Sequence, residues 1–227
     1  MLDTGVERRP PPKKAGIVTR IVTVIGQLSL PVMAIAGVLG VAWAARIVPA
    51  TDFRFLAGLD PSLDPEGWLN WGLLLLPGVF FVLNLTSRRY GPSISLGAVL
   101  VAWAAIGGGL YWAQSQGLIK SFEQDVAPIR PAAAFIIALL SGQLVCVYIF
   151  DWLRGIPWWE APLMAALAGG LSFTLLLHAA NGGSWGEAEW PRLAVLAALQ
   201  LVWALLQLLP TLMLRRVIRP VSGYGGA

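Results

Sequence analysis

The sequence predicts an all-α fold: a polytopic integral membrane protein with six transmembrane helices and both termini cytoplasmic. Three observations predict it. Hydrophobic residues make up 57% of the 227-residue chain and charged residues 12%, where soluble domains carry about twice that charged share. Apolar runs reach the ~20 residues needed to cross a hydrocarbon core about 30 Å thick. Basic residues also concentrate on alternate connections between those runs. A soluble protein with large buried helices is the alternative, and the uninterrupted length of the runs weighs against it.

The opening "MLDTGVERRPPPKKAG" is charged and proline-rich, so residues 1–17 are expected to form a flexible basic cytoplasmic tail. "AWAA" at 42–45 resembles a cleavage site but lies beyond the usual ~15–30 residues of a signal peptide, so no cleavage is predicted. Residues 18–214 form the six-helix membrane domain, with spans near 18–47, 68–86, 93–113, 131–150, 161–180 and 191–214. Pro31, in "QLSLPVMAI", is expected to kink the long first span. Pro77, in "LLLLPGVFFVLNLT", frees a carbonyl near Leu73 in the second. "IGGGL" at 106–110 and "AGGL" at 168–171 suit close helix packing. Residues 215–227 are a basic cytoplasmic C-terminal tail.

Charge orients this arrangement. With the N-terminus inside, the inner segments hold Arg8, Arg9, Lys13, Lys14, Arg20, Arg88, Arg89, Arg154, Arg215, Arg216 and Arg219. The outer ones hold Arg46, Arg54, Lys120, Arg130 and Arg192, so 11 basic residues face 5. Tryptophan follows the same boundaries. Trp43, Trp68, Trp71, Trp112, Trp185 and Trp190 fall near the outer one, and Trp152, Trp158 and Trp159 near the inner one. Indole prefers the headgroup level, where its ring is shielded and its N–H stays wet. Trp103 and Trp203 lie within spans and need packing there.

Chemistry-bearing residues are few. The single Cys146 rules out an internal disulfide, and the lone His178 has no cysteine or carboxylate at ligand spacing, so no metal site is expected. There is no Gly-rich phosphate loop and no Ser/His/Asp constellation, so neither an enzyme nor a bound cofactor is expected. The basic residues sit at chain ends and turns without interleaved aromatics, which speaks against nucleic-acid binding. No acidic or basic residue falls in the middle third of any span, where a charge costs several kcal/mol. The polar groups left there are neutral: Gln27, Asn84, Thr86, Ser141, Gln143, Ser172, Thr174, Gln200 and Gln207. For each alone, an interhelical hydrogen bond is commoner than a ligand contact.

Residues 148–162, "YIFDWLRGIPWWEAP", form a polar knot more specific than a simple returning turn requires. The enclosing stretch "GQLVCVYIFDWLRGIPWWEAPLMAALAGGLSFT" at 142–174 resembles the VUT family, the queuosine precursor transporters. So does "WLNWGLLLLPGVFFVLNLTSRRYGP" at 68–92, where Pro77, Leu85, Thr86, Arg88, Arg89, Gly91 and Pro92 match the family's pattern. Together these stretches cover about a quarter of the chain. The resemblance implies a six-helix membrane fold related to the substrate-binding components of energy-coupling-factor transporters. It further implies uptake of a 7-deazaguanine across the bacterial inner (cytoplasmic) membrane. The 148–162 turn would then be a rigid inner hairpin, with Asp151 and Arg154 paired and Pro157 and Pro162 limiting how the next helix starts.

The departures define a divergent member. Family members usually carry intramembrane aspartates at three places, which here are Asn84, Cys146 and Phe173. A buried carboxylate accepts from the N–H groups of a purine-like base, and charge-assisted bonds are about twice as strong as neutral ones. Two readings follow. In the first, the chain still moves a small neutral heterocycle, bound by Asn84, Thr86, Gln143 and Thr174 with Arg88 at the inner mouth. In the second, the scaffold is a non-transporting accessory subunit of a larger membrane complex. His178 is then a candidate axial ligand to a chlorin pigment, although a lone histidine near a helix end is more often interfacial. The partners expected are the lipid bilayer together with that substrate or that complex.

Overall fold

Apolar runs of this length bury their backbone polar groups only by forming helices, and helices are what the chain forms. The computed structural model describes residues 17–65, 68–121, 128–155, 157–182 and 189–220. Residues 1–16 and 221–227, which hold most of the two expected tails, lie outside them. The helices are α1 (Ile17–Ala45), α2 (Trp71–Leu75), α3 (Gly78–Tyr90), α4 (Pro92–Ser115), α5 (Ile129–Trp152), α6 (Glu160–Ala180), α7 (Trp190–Leu206) and α8 (Leu208–Leu214). They make six segments long and apolar enough to cross a membrane, because α2 joins α3 and α7 joins α8 end to end. Among the described residues there is no strand, only an isolated bridge between Pro49 and Asn70.

Prolines set the two breaks. A proline has no N–H to donate and its ring crowds the carbonyl four residues back. Pro77 therefore interrupts the helix just after Leu75, and Pro210 ends α7 at Leu206. At each break the flanking amides still find acceptors: Leu76 N–H donates to Gly72 O at 3.1 Å, and Gln207 N–H to Trp203 O at 3.0 Å. Pro31 does not interrupt α1, which stays helical from Ile17 to Ala45. Pro162 is the third residue of α6, where the missing N–H is one that a helix leaves unused anyway. The corner between α3 and α4 turns on Gly91, whose φ of 84° suits a residue without a side chain. Ser87 Oγ donates across that corner to Ser95 Oγ at 2.9 Å.

The bundle is organised around its second span. The apolar window of α2–α3 is 56% buried, whereas that of α1 is only 11% buried. Val79, Phe80 and Leu83 from α3 join Leu139, Val147 and Phe173 in one buried cluster. The outer faces carry the exposed apolar residues, among them Leu30, Met33 and Val41 on α1 and Leu205 and Leu209 on α7–α8. Faces this apolar suit a lipid neighbourhood and are rare on soluble monomers.

Glycine decides how closely the helices approach. A Cβ built on Gly142 of α5 would lie 2.6 Å from the carbonyl oxygen of Gly169 on α6. One on Gly169 would lie 2.8 Å from Gly142 O and 2.9 Å from Cys146 Cβ. The two backbones therefore touch directly, and α5–α6 is the most extensive interhelical contact in the bundle. The expectation for "AGGL" is met. That for "IGGGL" is corrected: nothing lies within 4 Å of a Cβ built on Gly107, Gly108 or Gly109, and all three are exposed. The buried face of α4 ends at Ala102, so the glycines lie beyond its packing surface.

Between α1 and α2 the chain folds over the end of the bundle. Ala50 N–H donates to Leu69 O at 3.2 Å and Trp71 N–H to Val48 O at 3.0 Å, closing the loop over buried Ala50, Leu69 and Leu74. Asp60 starts the short turn at Pro61–Leu63 by accepting from Ser62 N–H at 2.8 Å, which holds its carboxyl below the usual range. Arg192 Nε donates to Ser62 O at 3.0 Å and ties this loop to the start of α7.

Adding one methyl group separates the packing glycines from the exposed ones. Gly169→Ala should lower the stability of the detergent-solubilised protein by about 1–3 kcal/mol, because rigid backbone blocks the new atom. Gly107→Ala should be neutral or slightly stabilising, since alanine favours the helix by up to about 1 kcal/mol. Thermal unfolding followed by circular dichroism measures both; equal losses would contradict the assignment of the α5–α6 contact.

Candidate functional site

A neutral side chain inside a bundle needs a partner nearly as much as a charged one, because little water competes for it. Asn84 on α3 is 2% exposed and shows how the partners are found. Its Nδ2 donates to Pro162 O at 2.9 Å and to Gln207 Oε1 at 3.2 Å. Gln207 Nε2 donates to the same Pro162 O at 3.0 Å. Cys146 Sγ on α5 donates to Asn84 Oδ1 at 3.4 Å. Four segments thus meet at one amide: α3, the second half of α5, the first turn of α6 and the α7–α8 junction. The break that Pro210 imposes lies at Gln207 itself, so the side chain that bridges α3 and α6 projects from the interruption.

A second polar tier lies further along α6. Thr174 Oγ1 donates to Gly170 O at 3.0 Å and accepts from Gln200 Nε2 at 3.5 Å. Gly170 makes room for that glutamine, since a Cβ built on it would lie 2.2 Å from Gln200 Oε1. Gln143, fully buried on α5, accepts from Trp103 Nε1 of α4 at 2.9 Å through Oε1. Its Nε2 has no hydrogen-bond partner.

The residues read from the sequence as substrate-binding are therefore spread over separate contacts. Asn84 belongs to the α3–α6–α8 network, Thr174 to the α6–α7 tier, and Gln143 to the α4–α5 pair. Thr86 is buried and its hydroxyl donates one turn back, to Val82 O at 2.7 Å. Arg88 Nε donates to Ile218 O at 3.1 Å, at the end of the bundle where α3 and α8 finish. His178 lies in the last turn of α6, at the opposite end of that helix from Pro162. Trp103, which needed packing within its span, finds it against Gln143.

Two of the three positions singled out as family aspartates, Asn84 and Cys146, meet directly. The third, Phe173, packs edge-on against Phe135 with ring centroids 5.7 Å apart, and its Cβ lies 3.1 Å from a Cβ built on Gly142. Bonding capacity at these positions is matched by neighbours or replaced by ring packing. Among the described residues the carboxylates stay at helix ends and in the connections. Asp151 pairs with Arg154 in the 148–162 turn, with the Asp151 side chain 40% exposed and that of Arg154 11%. Among the described residues no three of His, Cys, Asp and Glu come together to hold a metal ion.

Gln207, Gln200 and the Pro162 carbonyl were not among the candidate residues. The glutamines were read from the sequence only as neutral groups suited to interhelical hydrogen bonds, which is what they make. That they lie seven residues apart, on the same helical face, was a further signal. The carbonyl had none, because main-chain acceptors are present at every position. No family model, no curated protein and no solved structure matches this chain.

The polarity of the Asn84 contacts orders its variants. Asn84→Ala removes two donors and should cost about 1–3 kcal/mol of unfolding free energy. Asn84→Asp should cost more at neutral pH, because it sets an acceptor against Pro162 O and Gln207 Oε1, which both accept. Equal stability of the aspartate variant and the parent in a detergent melt would show that this amide does not hold the helices together.

Proposed function

We propose that the chain is a membrane scaffold of the queuosine-precursor-transporter type, acting as a non-transporting subunit of a larger complex in a bacterial inner membrane with both termini cytoplasmic. The supporting observation is the Asn84–Gln207–Pro162–Cys146 network. A substrate-recognising carboxylate must remain free to accept from its ligand, whereas here the corresponding positions bind other helices. An amide shared among four segments fixes their separation, which suits a subunit of constant shape. The broad apolar faces, above all on α1, offer area for neighbouring helices as well as for lipid.

The alternative, movement of a small neutral heterocycle, draws support from one observation. Gln143 Nε2 is a buried donor without an acceptor, and a ligand carbonyl or ring nitrogen would satisfy it. The two readings separate in one preparation. The full-length protein is reconstituted into vesicles and tested for uptake of radiolabelled 7-deazaguanines, while mild-detergent extracts of its native membrane are sized. The scaffold reading expects no saturable uptake and a particle with a fixed stoichiometry of other subunits. Saturable uptake that Gln143→Ala reduces by tenfold or more would establish the carrier instead.

A further inference from the structure

The end of the bundle where α3 and α8 finish carries more positive charge than its structure uses. Arg88 and Arg89 lie in the last turn of α3, and Arg215, Arg216 and Arg219 follow α8. Tertiary folding brings these sets together across 130 residues of sequence: Arg88 Nε donates to Ile218 O at 3.1 Å, and Arg89 Nη1 to Arg219 O at 3.5 Å. Among the described residues no carboxylate pairs with any of the five. The acids among the described residues on this side of the bundle are Asp151, which pairs with Arg154, and Glu160, which makes no ion pair with these arginines.

Structural roles for these cations account for a fraction of the charge. Each helix C-terminus presents about half an elementary negative charge. Two such ends offset about one of five guanidinium groups. The remaining excess is held at a particular depth by aromatic rings. Arg215 Cζ lies 5.1 Å from the centroid of the Trp158 ring, and Arg89 Cζ 5.8 Å from that of Tyr90. Trp152 and Trp159, both exposed, flank the same turn. Tryptophan and tyrosine gather at the headgroup level of a bilayer. Lipid phosphates lie at that level, and guanidinium is shaped to grip a phosphate with two parallel N–H donors.

We propose that this arginine cluster, built from the last turn of α3 and the residues after α8, binds the phosphodiester headgroup of an anionic phospholipid. The lipid supplies counter-charge that the described residues around the cluster do not. The lipid also staples α3 to α8, which carries Thr211 and follows directly from Gln207, so the headgroup site and the Asn84 network stabilise the same helix pair.

The test uses the full-length protein in neutral detergent, with mixed micelles of phosphatidylglycerol or phosphatidylcholine as probes, read by native mass spectrometry and thermal shift. Phosphatidylglycerol should remain bound through delipidation and raise the melting temperature, and phosphatidylcholine should do neither. The double variant Arg215→Gln/Arg216→Gln leaves the Arg88–Ile218 bond in place and should weaken phosphatidylglycerol binding about thirty-fold, at about fivefold for each arginine. Arg46→Gln/Arg54→Gln, which removes the same charge at the other end of the bundle, should leave it unchanged. Four results would overturn the proposal: undiminished binding by the first variant, an equal loss in the second, equal retention of phosphatidylcholine, or an equal shift from inorganic phosphate alone. None of them bears on the scaffold reading, whose test is uptake and stoichiometry.

Discussion

Helices in a bilayer gain little from burying apolar surface against one another, since lipid tails are as apolar as leucine. What remains is close packing and hydrogen bonding, and here both begin at the contact between Gly142 and Gly169. With no side chain on either residue, the backbones of α5 and α6 touch, and each carbonyl occupies the space where the other residue's Cβ would stand. That approach sets where Cys146 and Phe173 lie, both on the contacting faces, and it brings the first turn of α6 up to Asn84. A wider spacing would leave the Pro162 carbonyl out of reach of two amides at once.

The polar networks then convert proximity into a definite arrangement. Van der Waals packing tolerates small rotations of a helix, whereas hydrogen bonds of 2.9–3.2 Å do not. Asn84 and Gln207 each donate to one carbonyl and are bonded to one another, so turning α3 or α8 breaks more than one bond. The Thr174–Gln200 pair repeats the device along α6, and the Trp103–Gln143 pair fastens α4 to α5. Every one of these groups is uncharged, which avoids the desolvation cost that a buried carboxylate or guanidinium carries. Among the described residues charge is confined to the ends of the helices and the connections between them.

The fold was legible in the sequence to the extent that it is local. Span count and the approximate span positions follow from apolar run length, and the break near Pro77 falls where a missing N–H must tell, whereas the one before Pro210 was not read from the sequence. Pro31 shows the limit of that rule: α1 remains helical through it, so a proline marks a lost bond but not an ending. The two glycine-rich stretches show another. "AGGL" and "IGGGL" look equivalent, yet one lies at the tightest part of the bundle and the other beyond the end of a buried face. Nothing within seven or eight residues distinguishes them, because the difference lies in which helix stands opposite.

The amino-acid order alone determined that this chain is helical, has six segments long and apolar enough to cross a membrane and keeps the middle of those segments free of charge, since each of these follows from composition summed along a short window. Only the tertiary structure decided which neutral groups meet. Asn84 and Gln207 are 123 residues apart, and Arg88 and Ile218 are 130 apart. A single helix carries no record of the partner that will pack against it. Candidate ligand-binding residues become helix fasteners, and scattered arginines become one cluster, only when geometry has chosen the neighbours.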